Sequence, residues 1–287
     1  MNIEIIMTPQ NQNNLRKIYN SLHNDENIDF NNLSFLQHTE KIIKIIETYT
    51  ENLEGRKRYF SSIMASIPNK QSELYKIYRK QYDNYAKLIK KEIEQNLLSD
   101  YERDNILNWH IIINKIKPII LKKGTTKEKL LIKFYTDVAP RRGEFTQYLK
   151  LIKQDTIPTD ENYNYFMYNT GKIILNKYKT QQLYKQQILQ YPKIKLKGLN
   201  RLLDEYEDGD LIFGKTKTQP YKSYNLVSPM FKKYADKKVG IRLLRHAFIT
   251  DYVKSKKVLS IKQQKEIAYK LGHSTIEFQK YIRLDIK

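Results

Sequence analysis

The sequence predicts a mainly α protein carrying one small antiparallel β-sheet, and three observations predict it. Apolar residues recur at helical spacing through most of the chain. One stretch, residues 163–190, switches to β-prone runs joined by a turn signal. The helical pattern also breaks around Leu98-Ser99-Asp100, which divides the chain into a helical part, residues 1–100, and a mostly helical part holding the sheet, residues 101–287.

In the first part, Ile42, Ile43, Ile46 and Tyr49 form one stripe, with Glu40 and Lys44 as an i,i+4 pair. Tyr59, Phe60, Ile63, Met64 and Ile67 form a second, stopped by Pro68-Asn69. Leu74, Tyr78, Tyr82, Tyr85, Ile89 and Ile93 form a third, with lysines on the outward face between them. Beyond the break, a helix is expected through Trp109 and Ile113 as far as Pro118. Thr125-Thr126-Lys127-Glu128 offers a capping box for the next helix, which carries Leu130, Leu131, Phe134 and Val138 and ends at Pro140. Tyr163–Tyr168 and Lys172–Lys179 read as strands joined by Asn169-Thr170-Gly171, with Tyr184–Leu189 as a third strand. Leu199, Leu202, Leu203 and Tyr206 return to helix. Ser228-Pro229 starts another, and the last sixty or so residues hold two or three more.

Composition limits the chemistry. The 52 Lys and Arg against 31 Asp and Glu leave a net charge of +21, which suits a polyanionic partner, and nucleic acid is favoured because no basic amphipathic anchor stands out. The absence of cysteine excludes disulfides, thiolate catalysis and cysteine zinc sites. No stretch is apolar enough to span a bilayer, and the start is not a signal peptide, so the chain reads as intracellular, soluble and without a membrane partner. The abundance of Lys, Ile, Asn and the 23 tyrosines reads as the codon bias of an AT-rich genome, so no single tyrosine or lysine carries weight by itself.

Two C-terminal boxes stand out. Leu243-Leu244-Arg245-His246-Ala247-Phe248-Ile249-Thr250 is followed by Leu271-Gly272-His273-Ser274 and then by Tyr281. In that order and spacing they resemble the end of the catalytic domain of the tyrosine recombinase (lambda-integrase) family. The earlier Ala139-Pro140-Arg141-Arg142-Gly143-Glu144 resembles the family's first arginine box, with an acid three residues after the arginine. Its Pro-Arg-Arg is similar to the integrases of large DNA viruses, which suggests a viral or mobile element, with the host cytoplasm or nucleus as location. The resemblance covers residues from about 100 onward. The N-terminal helices match the family's core-binding domain in general character only.

The resemblance implies a recombinase or integrase that cuts and rejoins double-stranded DNA through a 3′-phosphotyrosine, as a homotetramer on DNA, with neither a nucleotide cofactor nor a metal. Tyr281 would be the nucleophile. Arg141 and Arg245 would grip the non-bridging phosphate oxygens, and permanently charged, fork-shaped guanidinium groups suit that task. Lys179, in the hairpin between the arginine boxes, would be the general acid, with Lys177 and Lys172 as alternatives. His273 would hydrogen-bond the phosphate, and Glu144 would orient Arg141 or His246. The sequence departs from the family where a histidine often precedes the second arginine by three residues; Arg242 stands there, a plausible phosphate donor but no proton shuttle. The interval from Arg245 to His273 is also long, with Lys254-Ser255-Lys256-Lys257 in the extra length, and Tyr281 follows His273 by eight residues where nine is commoner. A type IB topoisomerase uses the same chemistry, and a decayed DNA-binding protein could keep the same fold. The tail after Tyr281 alternates Ile282, Leu284 and Ile286 with polar residues, which predicts a short edge strand.

Overall fold

A computed structural model of the chain describes residues 7–24, 28–95, 98–221, 225–256 and 259–283. The chain separates into two compact units, Met1–Gln95 and Asn96–Lys287.

The first unit is helical. Helices α1 (Pro9–His23), α2 (Thr39–Tyr49), α3 (Leu53–Ser66) and α4 (Glu73–Glu94) follow one another, with a 3-10 turn at Ser34–Gln37 before α2. Thr8, Asn52 and Ser72 cap α1, α3 and α4 by accepting backbone N–H groups that the helices leave unpaired. Leu15, Ile18, Phe35, Leu36, Ile42, Ile46, Phe60 and Ile63 form its core. Tyr78 is fully buried on α4, and its hydroxyl donates to the Leu36 carbonyl at 2.6 Å, so an aromatic joins the core without stranding its polar end. Lys76, Lys80, Lys87 and Lys90 lie on the exposed face of α4.

The second unit begins with α5 (Asp100–Asn105), α6 (Trp109–Ile111), a π-turn at Ile112–Ile116, α7 (Lys117–Lys123) and α8 (Thr126–Thr136). The expected stop at Pro118 does not occur. Pro118 lies in the first turn of α7, directly after the π-turn, where the wider backbone relieves the ring clash and the missing N–H. The capping box at Thr125 and Glu128 forms as the sequence suggests.

Next come α9 (Glu144–Tyr148) and a four-stranded sheet, β1 (Leu149–Ile152), β2 (Asn164–Met167), β3 (Lys172–Leu175) and β4 (Gln187–Gln190), in that spatial order. The sheet is mixed, not antiparallel: β1 runs parallel to β2, with the 153–163 connection carrying the chain back. Strand β3 ends at Leu175, four residues before its expected end. The Asn164 side chain there accepts the N–H groups of Asn176 and Lys177 at 2.9 and 2.8 Å and takes the backbone out of the ladder. A short helix, α10 (Gln181–Tyr184), then replaces the start of the expected third strand.

Helices α11 (Lys193–Leu203), α12 (Val227–Ala235), α13 (Ile241–Ser255), α14 (Ile261–Leu271) and α15 (Thr275–Gln279) complete the unit. One face of the sheet packs with α8, α11, α12 and α13 in a core that includes Phe134, Phe145, Phe166, Phe213, Phe231 and Leu244. The described tail residues Ile282 and Arg283 are not strand; Leu284 and Ile286 lie outside the described residues. Among the described residues no helix is long and apolar enough to cross a membrane.

Candidate active site

The Leu271-Gly272-His273-Ser274 box is a helix stop followed at once by a helix start. Gly272 takes a left-handed backbone (φ 72°) that ends α14, and Ser274 caps α15 through the Glu277 N–H. His273 is held between them, its own N–H donating to the Ala268 carbonyl at 3.0 Å. Two guanidinium groups finish the end of α14. Arg141 Nη1 donates to the carbonyls of Tyr269 and Lys270 at 3.1 and 3.2 Å, and Arg245 Nη1 to those of Leu271 and Pro140 at 3.1 and 3.3 Å. Arg141 Nη2 also donates to Gln187 Oε1 at 2.8 Å, which ties β4 to the site.

Both arginines are buried, at 0% and 1% exposure, and burial weakens each guanidinium's hold on its proton, opposed in both by Glu144. Several side-chain nitrogens nevertheless have no partner among the described residues: the donors Nε of Arg141 and Nε and Nη2 of Arg245, and both ring nitrogens of His273. Buried donors of this kind are costly unless something accepts from them. Around them stands Tyr281. Its ring centre lies 5.0 Å from the Arg245 guanidinium carbon, 4.8 Å from the His273 ring and 4.7 Å from the His246 ring. Burial, with Arg245, Arg142 and Arg141 behind it, pushes the His273 pKa down to about 2, so the ring is neutral and offers a single N–H.

His246, at 2% exposure, meets the main-chain carbonyl of Tyr281 through Nδ1 at 2.8 Å. A carbonyl only accepts, so Nδ1 carries the proton. Burial first, then Arg283, holds this imidazole neutral as well.

Lys179 is exposed, in the loop between β3 and α10. Its neighbour Thr180 donates to the Gly272 carbonyl at 3.4 Å, which brings this loop beside the Gly-His box. Lys179, Lys177, Arg142, Glu144, Tyr148 and Tyr178 line a cleft of about 310 Å³. Lys177 is committed to the Tyr148 ring at 4.1 Å, and Lys172 starts β3, paired with Gln190 at the opposite end of that strand from the loop. Arg142 is half-buried and close enough to act on His273, so it is more than a solvated neighbour of Arg141.

Thus Arg141, Arg245, His246, His273 and Tyr281 converge, with Lys179 in the adjoining loop. Arg242 stands apart on the exposed side of α13, ion-paired to Glu102 at 3.0 Å. That buried acid, rather than Glu144, is the carboxylate nearest His246, 3.6 Å from Nε2, but the neutral ring carries its proton on Nδ1 and the contact is not an ion pair. Glu144 Oε2 has no hydrogen-bond partner among the described residues, and its part is electrostatic, toward the two buried guanidinium groups. Sequence reasoning missed Glu102, Gln187 and Arg283. The pattern Ser99-x-x-Glu102 was a visible capping box, but nothing local marks the other two.

Among the described residues no group of three or more His, Cys, Asp or Glu is placed to hold a metal ion. No family model, curated protein or solved structure matches the chain.

Proposed function

We propose that this chain is a DNA strand-transferring enzyme, a site-specific recombinase or integrase that uses Tyr281 as nucleophile and works as a tetramer on DNA. The observation that carries the reading is the set of buried, partnerless nitrogens of Arg245 and His273 beside one tyrosine, with a further such nitrogen on Arg141 at the same helix end. A phosphodiester satisfies such a set, because its non-bridging oxygens accept several hydrogen bonds and gain negative charge during attack.

In the reaction the Tyr281 oxygen bonds to phosphorus and the bond to the 5′-oxygen breaks. The phenol gives its proton to water as its oxygen bonds to phosphorus, and the leaving oxygen takes one from Lys179. The phosphotyrosine conserves the phosphodiester energy, so the reverse attack by a 5′-hydroxyl reseals a strand without a nucleotide. The test is a nicked duplex whose short 5′ fragment diffuses away after cleavage and traps the protein on the 3′ end. Wild type is expected to accumulate a covalent adduct mapping to Tyr281, and Tyr281→Phe to bind equally and form none. An adduct in that variant, or one mapping to Tyr269, removes Tyr281 from the role.

A further inference from the structure

Glu102 sits at the third position of α5 and is 5% exposed. One of its tasks is local: Oε2 accepts the Ser99 N–H at 3.1 Å while Ser99 Oγ accepts the Glu102 N–H at 3.4 Å, closing a capping box. A capping glutamate needs no burial and no cationic company. This one faces three cationic or basic side chains: Arg242 Nη2 at 3.0 Å, His246 Nε2 at 3.6 Å and Arg283 Nε at 4.0 Å.

Two of the three, His246 and Arg283, hold the segment that carries Tyr281. His246 Nδ1 donates to the Tyr281 carbonyl. Arg283, two residues beyond the tyrosine and 2% exposed, donates its main-chain N–H to Thr250 Oγ1 at 2.9 Å. Its guanidinium turns back onto the carbonyls of Lys280 and Ile282 at 2.7 and 3.0 Å. His246 and Thr250 are i and i+4 on α13, one above the other on the same face, so residues 281–283 are fastened to a single helical edge. Glu102 lies beside both ends of this fastening, and its charge acts on the guanidinium, the imidazole being neutral.

We infer that Glu102 is a positioning residue for the nucleophile: through the buried Arg283 guanidinium, 4.0 Å away, its carboxylate holds the main chain around Tyr281. The inference rests on the reading of Tyr281 as nucleophile for its consequence in catalysis, but not for the contact itself. A buried carboxylate shared by several basic groups is worth most to whichever partner is itself buried, because neither can turn to water instead. Of the two charged partners, Arg283 is buried, whereas the Arg242 side chain is 63% exposed. The hold therefore acts mainly on the Tyr281 segment.

Glu102→Gln separates the two tasks, since glutamine closes a capping box but carries no charge. Ser99→Ala does the converse. Hydrogen exchange of the full chain without DNA reads the fastening directly: Glu102→Gln is expected to speed exchange in residues 278–283 while α14 is unchanged, and Ser99→Ala to leave 278–283 as in wild type. On the nicked duplex, Glu102→Gln is expected to slow single-turnover adduct formation by up to about 10²-fold, the effect of misplacing a reacting group by about 1 Å. DNA affinity should stay within about twofold, a loss confined to the chemical step. Unchanged exchange in 278–283, or a Ser99→Ala variant that reproduces both effects, overturns the inference. If wild type forms no adduct, the recombinase reading fails and the exchange result still decides what Glu102 holds.

Discussion

Replacing Gly272 by alanine is expected to damage both the fold and the chemistry of the second unit, for two separable reasons. The residue has φ 72°, a left-handed conformation that costs an alanine about 1–2 kcal/mol. A Cβ there would also lie 2.7, 2.8 and 3.0 Å from Nη1, Cζ and Nη2 of Arg141. That guanidinium cannot step aside cheaply, because it is buried and donates to Tyr269, Lys270 and Gln187. Losing one such charged hydrogen bond costs about 1.5–3 kcal/mol. The sum is about 3–5 kcal/mol, or roughly 10 °C in Tm for a unit of this size. Gly209 supplies the control: its φ is 84°, but a Cβ there meets nothing within 4 Å. Gly209→Ala should therefore show the backbone cost alone. Urea unfolding of both variants gives the difference, and single-turnover cleavage should fall by up to about 10²–10³ in Gly272→Ala if Arg141 is a transition-state donor. If Gly272→Ala costs no more stability than Gly209→Ala, the close approach of Arg141 to Gly272 is not real and the site as described falls with it.

Three further outcomes are expected. Lys179→Ala should cleave ordinary DNA slowly and be largely rescued by a 5′-bridging phosphorothiolate, whose sulfur leaves without a proton, whereas Lys177→Ala should show no such rescue; equal loss of Lys179→Ala on both substrates makes Lys179 a binding residue. DNA affinity should fall about 10³–10⁵-fold between roughly 50 and 200 mM salt for about 6–10 phosphate contacts, and salt-insensitive binding contradicts the use made of the +21 charge. The second unit should lose stability in acid: His246 and His273 have depressed folded pKa values, so the unfolded chain takes up protons first, and stability present above the ordinary histidine value drains as pH falls below it. His273 contributes about 2 kcal/mol between roughly pH 8 and pH 5 and His246 adds in the same direction, read by urea titration at the two pH values, and a flat profile refutes the neutral, buried assignment.

The parts of the fold legible in the sequence are those written in local pattern. The stripes through Ile42, Phe60 and Tyr78 gave α2, α3 and α4, and the Thr125 capping box gave the start of α8. Features that depend on a distant partner were not legible. Strand β1 is four residues long and directly follows α9, and what marks it as a strand is its pairing with β2 on one side and with residues 209–212 on the other. The end of β3 is decided by one side chain, Asn164, twelve residues before the amide of Asn176 that it captures. Pro118 inside a helix is tolerated because of the π-turn before it, which no residue pattern announces. At the site, the two C-terminal boxes and the first arginine box supplied Arg141, Arg245, His273 and Tyr281. Gln187 and Arg283 are ordinary residues whose significance is tertiary.

The arrangement also explains why removing either arginine cannot by itself assign a catalytic role. The last carbonyls of a helix have no partner within it and carry its negative end. In α14 those of Tyr269, Lys270 and Leu271 accept from Arg141 and Arg245. The same guanidinium groups that keep unpartnered N–H donors therefore hold the end of the helix from which Gly272 and His273 project. Arg245→Ala would unmake the cap and misplace His273 along with any phosphate contact, and a dead variant would say nothing about which loss mattered. Arg245→Lys is more informative. A lysine can still donate to the Leu271 carbonyl but lacks the fork that reaches a phosphate oxygen at the same time. A variant that keeps the wild-type stability of the second unit and loses adduct formation would place the remaining Arg245 nitrogens on the reacting phosphate. One that loses both in parallel would confine Arg245 to the helix end.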